Sequence, residues 1–268
     1  MTTLLQVSDP HFGTEQAPVV QALLRFAAEQ RPDVLVLSGD ITQRARRRQF
    51  EAARRFVDLV AAPATVAIPG NHDIPLFNLP ARMLSPYGGY RRVFGDDLEP
   101  SFAAPDVLVV AVNTTRPRRH KDGEVSSEQV ARVERRLRSA LPSQLRVVVV
   151  HQPVMAVRVD DDRNLLHGRA EAVRTWVAGG ADLVMGGHIH WPYACPLRTG
   201  YRDLPREAWV VQAGTAVSSR VRDGVPNSVN VVRTTAGAAP RRCAVERWDY
   251  EAVADRFRLV ERHDPTFS

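Results

Sequence analysis

Asp182-Leu183-Val184-Met185-Gly186-Gly187-His188-Ile189-His190 is the stretch on which the reading of this chain turns. A short apolar run reads as a buried strand, and the two glycines let the backbone turn tightly behind it. Two histidines then stand one residue apart. In a roughly extended backbone, positions i and i+2 project to the same side, so both rings can face one cavity. Neutral imidazole is the commonest protein ligand for transition metals. A pair of surface or turn histidines is the competing reading, and the rest of the chain has to decide.

Working outward, the same construction recurs. Thr3–Ser8 reads as a strand that runs into Asp9-Pro10-His11. Asp33–Leu37 is a continuous β-type run of the kind covered on both faces, and it closes on Ser38-Gly39-Asp40. Thr65–Ile68 ends in Pro69-Gly70-Asn71-His72-Asp73, Arg146–Val150 ends at His151, and Val107–Val112 closes on Asn113-Thr114. Helical spacing marks Gln16–Arg31, Phe50–Val60 and Gly168–Ala178, and a capping box at Ser126–Gln129 opens a helix reaching about Ala140. Ile74–Pro100 shows no clean period and reads as a long ordered loop with short helical pieces. The chain is therefore expected to be α/β. In open α/β sheets ligands bind beyond the carboxyl ends of the strands. A sheet that aligns these strands gathers Asp9, His11, Asp40, Asn71, His151, His188 and His190 into one pocket. Five of the eight histidines (His11, His72, His151, His188, His190) fall at strand ends, which a chance scatter would rarely produce.

The donor types select the chemistry. Imidazole and carboxylate with one amide oxygen suit Mn, Fe, Zn or Co rather than Ca or a thiolate-rich structural zinc site. Seven donors exceed what one tetrahedral zinc uses, and a carboxylate can bridge two cations. Paired metals about 3.5–4 Å apart clamp the attacking and leaving oxygens of an in-line phosphoryl displacement and lower the pKa of the water between them.

The ordered set Asp9-x-His11, Gly39-Asp40, Gly70-Asn71-His72-Asp73, His151, Gly187-His188-x-His190 resembles the calcineurin-like metallophosphoesterase superfamily. Within it the chain is most similar to the bacterial branch that includes class III cyclic-nucleotide phosphodiesterases. The resemblance implies a four-layer α-β-β-α sandwich with two central mixed β-sheets and the metal site at one edge. It puts Asp9, His11, Asp40 and His190 on one ion and Asp40, Asn71, His151 and His188 on the other, with Asp40 bridging. His72 would protonate the leaving alkoxide or stabilise phosphoryl oxygens, and Asp73 would orient it by a hydrogen bond. One departure is Gln152, where many relatives carry a second histidine. The implied reaction is hydrolysis of phosphodiesters by a metal-bridging hydroxide, with 3′,5′-cyclic nucleotides as the named substrate. Lipid or nucleotide diphosphate esters, a broad-specificity phosphatase and a metal-free scaffold are the alternatives.

The 268 residues, 44% hydrophobic and 25% charged, describe a globular chain of the length of a single domain. The metal motifs span 9–190, a β-rich part follows at 207–249, and a tail of 250–268 is left over. Within the β-rich part, Ala208–Gln212, Asn227–Arg233 and Cys243–Trp248 read as strands, with a Gly/Pro/Ala turn region between the last two. No apolar run approaches the roughly 18 residues that span a bilayer. With no basic leader and two cysteines far apart, the expected location is the cytoplasm. The net charge of +6 comes almost wholly from arginine, since Lys121 is the one lysine. Positive charge favours an anionic substrate. With aromatics at 7%, nucleic-acid binding, which interleaves basic and stacking residues, is disfavoured. A small phosphodiester or nucleotide is the expected partner, and a homodimer stays open. Arg44 and its neighbours read as a solvated helix start, with contact to a substrate phosphate as the alternative. His120 and His263 read as surface residues, and Trp191 and Tyr193 as core.

Overall fold

A computed structural model describes residues 1–222, 224–235 and 240–267, so the turn region expected between the last two strands lies largely outside the described residues. In chain order the elements are β1 (Thr3–Val7), α1 (Ala17–Gln30), β2 (Val34–Ser38), α2 (Arg47–Val60), β3 (Ala64–Ile68), α3 (Leu79–Leu84), α4 (Gly88–Phe94), β4 (Ser101–Ala104) and β5 (Val107–Ala111). There follow α5 (Ser127–Arg138), β6 (Leu145–Val149), α6 (Arg169–Ala178), β7 (Leu183–Gly186), β8 (Tyr193–Pro196) and β9 (Trp209–Gln212). The chain closes with β10 (Ser228–Thr234), β11 (Arg241–Glu251), β12 (Arg256–His263) and β13 (Thr266–Phe267).

Two mixed sheets result. The first runs β12-β11-β10-β1-β2-β3, with β13 also on β11; the second runs β4-β5-β6-β7-β9-β8. β1, β2 and β3 are parallel to one another, as are β5, β6, β7 and β9. The period-2 alternation of strand side chains sorts each run onto two faces. Leu4, Val34, Val36, Val147, Val149, Leu183 and Met185 meet between the sheets. Leu5, Val7, Leu35 and Leu37 face outward onto α1 and α2, while Val148, Val150 and Val184 face outward onto α5 and α6. Three apolar layers thus separate four structural ones, the sandwich expected. Helix α5 starts as anticipated, with Ser126 Oγ accepting from Gln129 N–H and Gln129 Oε1 accepting from Ser126 N–H.

The parallel strands of both sheets point their carboxyl ends to one edge. At the opposite edge Asp106, between β4 and β5, pins the sheets together. Its carboxylate accepts from Thr2 Oγ1 at 2.6 Å and Thr234 Oγ1 at 2.5 Å, and the Met1 ammonium lies 3.1 Å away. Burial opposes its ionisation, but these hydrogen bonds outweigh burial and bring the carboxyl down to about 2. A depressed acid contributes stability that is complete above its unfolded pKa near 4 and is lost as pH falls through the folded value. Asp106→Asn should therefore lower stability by about 1–2 kcal/mol at pH 7. Thermal unfolding of parent and variant should converge between pH 4 and 2; a gap that persists in acid would sink this account.

The tail beyond residue 249 is a correction to the sequence reading. It is not left over but completes β11 and adds β12 and β13 to the first sheet. Along β12 only Phe257 is fully buried, so little periodicity marks the strand.

Candidate metal centre

Each expected ligand sits past the end of a strand, and five of the seven stand on backbone that L-residues seldom adopt. Asp9, His11, Asp40, His188 and His190 have φ of +50°, +42°, +48°, +76° and +57°. Positive φ at non-glycine residues is uncommon, and such conformations concentrate at functional sites held by their surroundings. Close approach is enforced too. A Cβ on Gly70 would lie 2.0 Å from the backbone N of Asp40, and one on Gly187 would lie 2.0 Å from Ser8 Oγ and 2.5 Å from Asp9 Oδ2. These two glycines bring the β3 and β7 turns against the β2 and β1 turns.

The expected donors converge in two groups, and His11, Asp40 and His72 form a further close cluster. In the first, Asp9, His11 and His190 place one ligand atom each within 4.8 Å of one another; His11 Nε2 and His190 Nε2 are 3.1 Å apart, and His190 Nε2 is 3.3 Å from Asp9 Oδ1. In the second, Asp40, His151 and His188 meet the same limit, with Asn71 Oδ1 and Asp40 Oδ1 each 3.3 Å from His151 Nε2. Asp40 faces both groups, since its Oδ2 lies 3.8 Å from His11 Nε2. All seven expected donors are thus brought together.

Backbone carbonyls set the imidazoles. His151 Nδ1 is 2.9 Å from Ser38 O and His190 Nδ1 is 2.7 Å from Arg220 O, so each ring gives its Nδ1–H to the backbone and turns Nε2 inward. This is the way metal-binding histidines are usually oriented. Burial drives His11 and His188 down to about 3, which keeps them in the neutral, ligating form. At His151 burial acts the same way, but the Asp40 charge overrides it and raises the ring to about 9; a cation in the second group and that proton compete for the same Nε2. Asp9 Oδ1, His11 Nδ1 and His188 Nδ1 are buried without a hydrogen-bond partner. A buried acceptor left unpaired in this way, beside neutral imidazoles and a shared carboxylate, is what a pair of cations would satisfy. The residues fit the group.

His72, in the 3-10 turn Asn71–Asp73, stands beside these groups with Nε2 4.0 Å from Asp40 Oδ2. The hydrogen bond expected from Asp73 is not formed. His72 Nδ1 instead lies 2.9 Å from Gln43 O. The Asp73 carboxylate points back into the turn, where it accepts from Ile41 N, Thr42 N, Thr42 Oγ1 and Gly70 N at 2.7–2.9 Å. Adjacent residues in a tight turn project in different directions, so sequence neighbourhood misled. Burial, added to the charge of Asp40, raises the Asp73 carboxyl to about 6 against these four donors.

The metal groups open into a cleft of about 630 Å³ lined by Asp40, Asn71, His72, His188, His190 and Arg220, among others. The Metallophos family model, described as calcineurin-like phosphoesterase, matches residues 2–192. The chain belongs to that family. This phosphoesterase is 26% identical over 207 residues, 70% of its own length and 73% of the other's, to a probable cyclic nucleotide phosphodiesterase of Synechococcus sp.. Among solved structures it is similar to a dimetal phosphatase from Danio rerio (16% identity, TM-score 0.65, 100% and 99% of the two chains covered). It is also similar to a purple acid phosphatase from yellow lupin seeds (13% identity, TM-score 0.71, 99% of this chain and 53% of that one). At such identities the structural likenesses establish the fold. The family makes the phosphoesterase a metal-dependent phosphoric ester hydrolase and implies a dinuclear metal centre.

Among the cleft residues that the sequence does not mark as site residues are Arg220, Lys121 and His120. Arg220 Nη1 is 2.9 Å from Gln43 Oε1 and 3.4 Å from His72 Nε2, and its own carbonyl holds His190. Lys121 and His120 line the mouth, so His120 is exposed as expected yet borders the cleft. All three come from loops whose reach no local pattern encodes. Arg44 is exposed, with its guanidinium 5.5 Å from the Phe77 ring, and borders a recess containing Asn71 and His72. Tyr193 packs against the second outer core and donates to Met155 O. Trp191 is half-buried under the Arg158 guanidinium at 4.4 Å.

Proposed function

We propose that this chain hydrolyses phosphodiester bonds in small molecules, with 3′,5′-cyclic nucleotides as the substrate class. The observation that carries the reading is the single Asp40 carboxylate shared by two ligand groups, with His72 and Arg220 facing the same cleft. In this reading Asp9, His11, Asp40 and His190 hold one ion, and Asp40, Asn71, His151 and His188 the other. Mn, Fe and Zn all suit such donors. When bound, the pair supplies a water of lowered pKa and charge stabilisation of the phosphoryl oxygens.

The protein's own groups do the rest. The Gln43 carbonyl fixes His72 Nδ1–H, which turns Nε2, beside Arg220 Nη1, toward the cleft, where it can give a proton to the departing alkoxide. The Arg220 guanidinium, steadied by Gln43, sits where it can hold a phosphoryl oxygen. Asp73 acts through the turn, holding Asn71 and His72 against Asp40, rather than on the imidazole itself. The name of the Synechococcus relative supports the cyclic-nucleotide choice. Lys121 and His120 at the cleft mouth favour a second reading, a nucleotide or lipid diphosphate ester, because they would meet a further anionic group.

A substrate panel on Mn-reconstituted protein separates these: bis(p-nitrophenyl) phosphate, p-nitrophenyl phosphate, cyclic AMP and a nucleotide diphosphate ester. Diesters should turn over at least about tenfold faster than the monoester, a difference of about 1.4 kcal/mol in barrier. Preference for the monoester would overturn the diesterase reading; preference for the diphosphate ester over cyclic AMP would replace the named substrate.

A further inference from the structure

Beside the cleft, the chain exposes apolar side chains that nothing among the described residues covers. Phe77, Leu79, Met83 and Leu84 are 81%, 62%, 82% and 86% exposed, all within eight residues of α3 and its lead-in. Surface hydrophobic residues scattered singly need no explanation, but a contiguous cluster does. Leu79 and Met83 are four apart on the helix and share a face. The cluster is not a frayed end. Asn78 caps α3 through Ala81 N, Arg82 binds the carbonyls of Pro75 and Arg119, and just beyond α3 Tyr87 Oη bonds to Thr115 O.

Its surroundings are predominantly cationic, although Arg47 is paired with Glu51. Ile74–Arg92 contains no acidic residue and three arginines, and Ile41–Phe50 contains none and four. Arg44, Arg46, Arg47 and Arg92 line a groove of about 490 Å³ together with Leu76 and Phe77. Leu79, Met83 and Leu84 stand out of the surface while Phe77 also edges that groove, and apolar side chains so exposed suit insertion into a soft phase. Arginines flanking them suit the phosphate level of that phase, since basic side chains near an anionic leaflet add attraction there.

From this juxtaposition of an exposed apolar ridge and a ring of arginines, we infer that the α3 ridge docks the protein on anionic lipid surfaces. Phe77, Leu79, Met83 and Leu84 enter the headgroup boundary in the manner of interfacial amphipathic segments. Docking at α3 sets the metal cleft beside the membrane plane, because Ile74 and Leu76, just before α3, border the recess that contains Asn71 and His72. The inference stands on the surface alone and is independent of what the cleft hydrolyses.

The test is co-sedimentation of the full chain with vesicles of phosphatidylcholine, or of phosphatidylcholine with about a third phosphatidylglycerol, at low and high salt. A triple variant, Phe77→Ser, Met83→Ser and Leu84→Ser, is run beside it, with thermal unfolding as the check on folding. The parent should pellet with the anionic vesicles and much less with the neutral ones. At about tenfold per apolar side chain withdrawn from the interface, the variant's partitioning should fall by about 100-fold or more at an unchanged unfolding temperature. A parent that ignores both vesicles would overturn the inference. So would a variant that binds as the parent does, which would reduce the effect to arginine adsorption. A parent dimer that the serines disperse, with no vesicle binding, would assign the ridge to a second copy of the chain instead.

Discussion

Replacing Asp40 by alanine is expected to lower phosphoester hydrolysis by about 10³-fold or more and to reduce metal retention at both positions together. The carboxylate is buried, faces both ligand groups, and also accepts the His72 N–H at 2.8 Å. Removing it separates the groups, takes away the negative charge that attracts the cations, and frees the turn that carries His72. Metal pairs supply several kcal/mol of transition-state stabilisation, and each 1.36 kcal/mol is tenfold in rate. The measurement is metal content after Mn loading and desalting, alongside turnover of bis(p-nitrophenyl) phosphate. Loss of one ion with the other retained would show that Asp40 does not bridge.

The second large effect belongs to stability. Asp73→Asn should lower the unfolding free energy by about 2–4 kcal/mol, or roughly 5–15 °C in melting temperature for a chain of this size, at a pH where the parent carboxyl is ionised. Two donors face each carboxylate oxygen: Thr42 N and Oγ1 on Oδ1, and Ile41 N and Gly70 N on Oδ2. An asparagine must turn its NH₂ toward one pair. The Thr42 hydroxyl can rotate to accept from it, but at least one buried backbone N–H is left facing a donor. A shift within 1 °C would show that the four hydrogen bonds contribute nothing net. Because the same carboxylate ties the β2 and β3 turns, turnover should also fall without loss of the ligand side chains themselves.

How far the sequence foretold this molecule differs by element. The continuous apolar runs of β2, β6 and β7 were readable because strands covered on both faces admit little but Val, Leu and Met. The seven candidate metal donors were readable because each stands within a few residues of such a run. β4 and β8, four residues each, lie at the outer edges of the second sheet with no fully buried residue on either, so no continuous apolar run marks them. Asp73 was placed correctly in the turn but given the wrong neighbour, since its partners at Ile41 and Thr42 lie about thirty positions earlier. Arg220 reaches His72 across 148 positions. Contacts of that kind are made by the fold as a whole, and no window of sequence contains both ends.

The left-handed backbone at Asp9, His11, Asp40, His188 and His190 also governs how this site decays. At an ordinary position, alanine is the benign replacement when a side chain is no longer needed. Here alanine would keep the conformational penalty of a Cβ while losing the ligand, whereas glycine would relieve it. A descendant that has abandoned hydrolysis but still depends on the fold should accordingly drift toward glycine, or toward asparagine, at these five positions. Such a signature would tell a retired copy of the enzyme from a working one by reading its genes alone.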